Sequence, residues 1–108
     1  MTVIRTALSG DLEAALEPIS QLAQKHHVAR LEMFGSAVTG RLGKGSDVDL
    51  LVTFKSLPFQ EHGQHYFGLK HDLEDLLGGP VDLLELEAVQ NPYFLKSIEP
   101  ERVLLYAA

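Results

Sequence analysis

An apolar run that opens with two aspartates constrains this chain more than any other stretch. Residues 47–54 read DVDLLVTF, and the apolar side chains alternate as they do in a strand with one buried face. Residues two apart in a strand point to the same side, so Asp47 and Asp49 should share the other face. Two carboxylates held this close repel each other, and in a partly buried place a bound divalent cation usually offsets that repulsion. The run therefore predicts a metal site at the start of a strand.

A glycine-serine pair precedes these aspartates, separated from them by ten residues. Val28–Phe34 is predicted to form a strand, Gly35 and Ser36 a turn, and a short helix should start near Ala37. Such an arrangement directs free backbone N–H groups at an anion, and the glycine lets the backbone approach it closely. Each feature alone would also suit an ordinary turn or the opening of a strand. Together they predict a phosphate site next to a metal site.

The combined pattern, GS followed by ten residues and then DVD, reproduces the GS-x10-D-x-D signature of the nucleotidyltransferase superfamily that includes DNA polymerase beta. Within that superfamily the chain resembles the MNT proteins, minimal nucleotidyltransferases encoded beside HEPN-domain proteins as toxin–antitoxin pairs. The resemblance covers most of the chain, including a third acidic strand, VDLLEL, around Asp82 and a closing NPYFLKSIEPERVLLY segment. It implies an α/β (α+β) nucleotidyltransferase fold, a small mixed β-sheet with helices packed on it.

The resemblance also implies a role for each residue of the site. Asp47 and Asp49 would ligate the Mg2+ that carries a nucleoside triphosphate, ATP in this case, and would contribute to a second, catalytic Mg2+. Asp82 would complete that second metal site. Gly35 and Ser36 would hold the β and γ phosphates.

The loop between the turn and the aspartates departs from the family pattern. The family often reads GSRARG, whereas residues 35–40 read GSAVTG, so two arginines are missing. Arg41 and Lys44 lie further along the loop and could compensate, although both also suit solvated loop positions. Ser46 matches the family's usual S-D pair and is expected to cap or orient the loop.

Length and charge limit the partners. With 108 residues the chain fits one small domain, 1–108, which has no room for an extra helical domain that would bind an acceptor. The formal net charge is −6, with nine basic against fifteen acidic residues, so we expect no nucleic acid template. The chain contains no cysteine, which fits a reducing cytoplasm. A secretory leader and a membrane-length apolar run are not recognisable in the sequence, so a cytoplasmic location without membrane contact is expected.

The other elements follow from hydrophobic periodicity. Apolar residues at helical spacing predict a helix over residues 12–23, with Asp11 as its cap, and Pro18 either kinks this helix or opens a second one. Another amphipathic helix should end at Gly78, with two glycines weakening its first half. The remaining predicted elements are a strand at residues 81–86, a short helix at 92–97 and a strand at 102–106.

The histidines raise the question of zinc. His62, His65 and His71, together with Glu61 and Asp72, could suggest a zinc site. Their spacing does not follow the H-E-x-x-H pattern, so solvated positions on a helix are the favoured interpretation.

Motif and resemblance together predict a nucleotidyltransferase that moves AMP from ATP to a hydroxyl of a HEPN-domain toxin, with tyrosine as the expected acceptor. In that role the chain is an antitoxin that forms a hetero-oligomer with the toxin, and a homodimer is also possible. Two alternatives stay open. The chain could neutralise the toxin by binding alone, or it could transfer the nucleotide to a small molecule such as an aminoglycoside.

Overall fold

Three α-helices and four strands make up the part of the chain that the structure describes. The computed structural model describes residues 10–34, 48–98 and 102–108, with side chains from residue 13 onward in the first range. The elements in chain order are α1 Gly10–Lys25, β1 Val28–Phe34, β2 Val48–Phe54, α2 Phe59–Leu77, β3 Val81–Glu85, α3 Pro92–Ile98 and β4 Val103–Ala107, with a 3-10 helix at Leu86–Ala88.

The four strands form one mixed sheet in the order β3-β2-β1-β4. β1 pairs antiparallel with β2 and with β4, whereas β2 and β3 run parallel. Parallel neighbours need a crossover connection, and α2 provides it. The arrangement confirms the predicted small mixed sheet with helices packed on it, and it leaves β3 at an edge.

Both faces of β2 are buried in the middle of the strand, from Leu50 to Val52. Val48, Leu50 and Val52 point into the larger core, which the sheet shares with α1 and α2. Leu51 points to the opposite face, where it packs with Phe34 and with residues of α3. At 1% exposure Leu51 is as buried as the core residues, so the face that carries Asp49 is also covered along much of its length.

The helix α1 presents the predicted apolar stripe to the larger core, since Leu16, Ile19 and Ala23 are all buried there. It continues through Pro18 as one helix, so the alternative in which Pro18 opens a second helix is wrong. The described part of α1 already includes Gly10, which places Asp11 inside the helix and not at its N-cap.

The helix α2 runs for 19 residues and continues through both of its glycines. It ends at Gly78, whose φ of 75° lies in the left-handed region and whose N–H donates to the carbonyl of Glu74. Glycine adopts that conformation without steric cost, which confirms the predicted helix end. No helix within residues 10–34, 48–98 and 102–108 combines the length and apolar character that a membrane span needs.

Candidate functional site

Two of the three predicted carboxylates lie side by side on β2 and β3. Asp49 is the register partner of Asp82 in this parallel pair, and directly opposed residues project from the same face of a sheet. Adjacent strands are about 4.8 Å apart, so both carboxylates can reach one small cation. The described chain therefore places two carboxylates on one face of the sheet, near the starts of two parallel strands.

The strand β1 ends beside this pair. Phe34, the last residue of β1, is the register partner of Asp49 on the side away from β3. Its ring is buried against Leu51 and meets the ring of Phe94 edge-on, with the ring centroids 5.9 Å apart. Three neighbouring strands thus carry one row of side chains across the sheet, with Phe34 on β1, Asp49 on β2 and Asp82 on β3. Packed aromatic rings lie at the β1 end of the row and carboxylates at the β3 end.

The two carboxylates differ in exposure. Asp49 is half-buried, as the metal prediction assumed, whereas Asp82 is exposed. The cost of burying a charge therefore carries little weight as an argument for a bound cation at Asp82. Because Asp82 is exposed, this end of β3 is accessible from outside.

The remaining predicted site residues lie outside the described ranges, as does the short helix expected near Ala37. These residues are Gly35, Ser36, Arg41, Lys44, Ser46 and Asp47. Within the described ranges, no three His, Cys, Asp or Glu side chains are grouped so that they could hold a metal ion. The pair Asp49 and Asp82 would need a further ligand, and Asp47 stays the predicted one.

Hydrogen bonds from α2 reach the backbone of β3 on both sides of Asp82. The Glu74 carboxylate accepts a hydrogen bond from the N–H of Val81, with Oε2 3.0 Å from the nitrogen. The Tyr66 hydroxyl donates to the carbonyl oxygen of Leu83 at 2.5 Å. Neither contact was predicted from the sequence, because nothing in it shows that β3 is an edge strand beside α2.

The ionisation of Tyr66 favours this donor role. Burial raises the pKa of the Tyr66 hydroxyl, and the negative charges of Glu85 and Asp82 raise it further. The hydroxyl therefore keeps its proton at neutral pH and donates it to Leu83. A related contact joins His62 to Glu85, with Nε2 2.5 Å from Oε1.

A second polar network joins α1 to α2 near the far end of β2. His26 is 6% exposed, and its Nε2 lies 2.7 Å from Oδ2 of Asp72 while its Nδ1 lies 3.2 Å from Nδ1 of His65. The hydrogen bond from His26, and then the one from Lys25, lowers the pKa of Asp72. The prediction of solvated histidines is therefore wrong for His65, whereas it holds for His71, which is 75% exposed.

Comparison with known proteins gives a family match over most of the chain. The nucleotidyltransferase domain matches residues 15–105. A Methanocaldococcus jannaschii protein, provisionally named as a protein adenylyltransferase, is 38% identical over 82 residues, which cover 76% of this chain and 81% of that relative.

Solved structures give the same fold. A structure provisionally described as a minimal nucleotidyltransferase has a TM-score of 0.65 at 31% identity, over 85% of this chain and 90% of the other. A second similar structure is that of a tri-AMPylated Shewanella oneidensis HEPN toxin in complex with an MNT antitoxin. It has a TM-score of 0.62 at 18% identity, over 90% of this chain and 73% of the other. At that identity the likeness concerns the fold alone.

Proposed function

The chain belongs to the family of proteins that carry a nucleotidyltransferase domain, and on that premise we propose that it transfers AMP from ATP to a hydroxyl group of another protein. The observation that carries the proposal is the in-register pair Asp49 and Asp82 on parallel neighbouring strands. The name of the Methanocaldococcus jannaschii relative, a protein adenylyltransferase, supports a protein as the acceptor.

A HEPN-domain toxin is the proposed acceptor, with a tyrosine hydroxyl as the site of transfer and loss of toxin activity as the result. The AMPylated HEPN toxin seen with its MNT antitoxin in the Shewanella structure supports this choice. The exposure of Asp82 also suits an acceptor as large as a protein, since this end of β3 is accessible from outside. The net charge of −6 argues against a polyanionic template in the same place.

The proposed reaction is a substitution at the α phosphorus of ATP. The acceptor oxygen forms a bond to that phosphorus, the bond between the phosphorus and the oxygen that bridges to the β phosphate breaks, and pyrophosphate leaves. The hydroxyl proton passes to solvent. Asp49 and Asp82, with Asp47, would hold Mg2+, whose preference for carboxylate oxygens matches this set. Bound Mg2+ would lower the pKa of the acceptor hydroxyl and offset the charge of the leaving group.

The loop residues complete the proposed site. Gly35 follows β1 directly in the sequence, and its backbone with the Ser36 hydroxyl would bind the β and γ phosphates. Arg41 and Lys44 would add positive charge in place of the two arginines that the family often has. Ser46 would orient the loop ahead of the first aspartate.

The proposal is tested by incubating the chain with ATP labelled at the α phosphate, Mg2+ and the protein encoded next to it, which the proposal expects to be a HEPN-domain toxin. We expect label and the mass of AMP on the partner, together with loss of the partner's activity. Asp49→Asn and Asp82→Asn should each reduce transfer about 100-fold or more, because a group that stabilises charge in the transition state is lost. Asp75→Asn is the matched control, since Asp75 is a 74% exposed carboxylate on α2.

The same experiment separates an enzyme from a protein that neutralises its partner by binding alone. Neutralisation without added mass, unchanged in Asp49→Asn and Asp82→Asn, would contradict transfer as the mechanism. Binding depends on contact between surfaces, so a single carboxylate would matter little to it.

A further inference from the structure

The free edge of β3 is covered by side chains of α2. Among the strands that the structure describes, β3 is the outermost on its side of the sheet. The N–H of Val48 on β2 donates to the carbonyl of Pro80, the residue before β3. Successive residues of a strand direct their backbone groups to opposite sides, so the even-numbered residues from 80 to 84 direct theirs toward β2. Val81 and Leu83 therefore direct theirs outward, where an edge strand ordinarily leaves them unpaired or bonded to water.

Two side chains of α2 occupy these outward positions. Glu74 accepts from the N–H of Val81, and Tyr66 donates to the carbonyl of Leu83. The two helix residues are eight positions apart, close to two turns, so they project from neighbouring parts of one helix face. Asp82 is the residue between the two bonded backbone groups.

A further contact, one turn closer to the start of α2, joins the side chain of His62 to the side chain of Glu85 and does not involve the β3 backbone. We refer to His62, Tyr66 and Glu74 as the α2 clamp. They meet alternate residues of β3, the positions 81, 83 and 85, as α2 runs back along the strand. The clamp therefore contacts β3 at its first, third and fifth residues and bonds to its backbone at the first and third.

Such a clamp matters for the site because Asp82 stands on β3, which within the described ranges pairs with β2 alone. A slip of one residue would turn Asp82 to the other face of the sheet, and a displacement of about 1 Å is enough to impair a catalytic arrangement. We propose that Tyr66 and Glu74 are positioning residues, which hold Asp82 beside Asp49 so that the two carboxylates can bind a divalent cation together. This inference rests on the proposed function, since it assumes that Asp82 is a metal ligand.

The test measures cation binding directly and does not depend on catalytic turnover. Mn2+ serves as the probe, its affinity is followed by the relaxation of water protons, and Asp82→Asn is the reference variant. Tyr66→Phe keeps the ring and removes only the hydroxyl that bonds to Leu83. We expect it to weaken Mn2+ binding by about three- to tenfold, the equivalent of one hydrogen bond, with Asp82→Asn weakening it at least as much.

Two matched variants accompany Tyr66→Phe. Tyr93→Phe makes the same chemical change at a tyrosine that is 81% exposed, and Mn2+ affinity should not change. Glu74→Leu removes the acceptor for Val81 and should weaken Mn2+ binding, whereas Glu74→Gln keeps an acceptor oxygen and should restore it. Amide hydrogen exchange in β3 should become faster in Tyr66→Phe and in Glu74→Leu only.

The outcomes separate this inference from a role in stability alone. If Tyr66→Phe lowers the melting temperature or speeds exchange in β3 but leaves Mn2+ affinity unchanged, the clamp is structural and the inference is overturned. If Asp82→Asn itself binds Mn2+ as tightly as the unmodified chain does, the assignment of Asp82 fails and the inference fails with it. Absence of AMP transfer by the unmodified chain would refute the proposed function, and the Mn2+ measurements would still decide whether the clamp positions Asp82.

Discussion

Replacing Gly68 with alanine should destabilise the chain, although the same change in a helix is normally stabilising by about 1 kcal/mol. A Cβ atom at Gly68 would lie 2.8 Å from Cε1 of His26, well inside the separation of about 3.5 Å at which carbon atoms pack. The imidazole cannot move aside freely, because His26 is 6% exposed and is bonded to Asp72 and to His65. Gly68 therefore provides space for a buried histidine, which explains a glycine in the middle of α2.

The expected size of the effect follows from three terms. Overpacking of a filled interior costs about 1 to 3 kcal/mol, and weakening the bond between His26 and Asp72 costs about 1 kcal/mol. The higher helix propensity of alanine offsets about 1 kcal/mol of this loss. The net loss in the free energy of unfolding is about 1 to 3 kcal/mol, which lowers the melting temperature of a domain of this size by roughly 5 to 15 °C.

Gly63 is the matched control within the same helix. No atom lies within 4 Å of a Cβ built there, so Gly63→Ala should raise the free energy of unfolding by about 0.5 to 1 kcal/mol. Urea unfolding followed by circular dichroism measures both variants. The reasoning would be refuted if Gly68→Ala were as stabilising as Gly63→Ala. In a His26→Ala background the clash is gone, and Gly68→Ala should then stabilise the chain.

Two further predictions concern ion pairs. Arg102→Leu should lower the free energy of unfolding by about 2 to 4 kcal/mol. The Arg102 guanidinium donates two hydrogen bonds, of 2.6 and 3.2 Å, to the carboxylate of Glu32, which is 5% exposed. The substitution removes both and leaves Arg30, at 3.3 Å, as the other arginine partner of Glu32. Adding Glu32→Leu should recover at least half of that loss, which a double-mutant cycle in urea measures; no recovery would contradict the explanation. For Asp72, the hydrogen bond from His26 lowers the pKa below the ordinary 3.8, so its contribution to stability is complete above that pH and is lost as the pH falls through the lowered pKa. Asp72→Asn should therefore flatten the dependence of urea stability on acid pH below about 4, and an unchanged slope would contradict this.

The elements with strong local signals were predictable from the sequence. β1 has the predicted bounds, Val28–Phe34, and in the sequence a glycine-serine pair directly follows this apolar segment. The end of α2 was predicted by Gly78, whose left-handed conformation stops a helix irrespective of its tertiary surroundings. β3 ends at Glu85 and β4 covers Val103–Ala107, so both differ by one residue from their predicted ends. These signals are local, since each depends on a few neighbouring residues.

The contacts that were missed all join parts of the chain that are distant in sequence. His26 meets Asp72 across the junction of α1 and α2, and nothing near either residue indicates the other. Glu32 and Arg102 are 70 residues apart in the sequence, and the pairing of β1 with β4 brings them together. Sequence periodicity gives the faces of a strand but not its neighbours, so the edge position of β3 was also not predictable.

The proposed site itself depends on the connection between β2 and β3. Asp49 and Asp82 are each the second residue of their strand, so they meet only if both strands start at the same end of the sheet. A tight hairpin would make the strands antiparallel and would place Asp82 at the far end. β2 advances by about 23 Å over its seven residues, and the 19 residues of α2 return the chain by about 28 Å. The length of α2 is thus sufficient to bring the second carboxylate back beside the first, and the same helix then supplies the side chains that bond to β3.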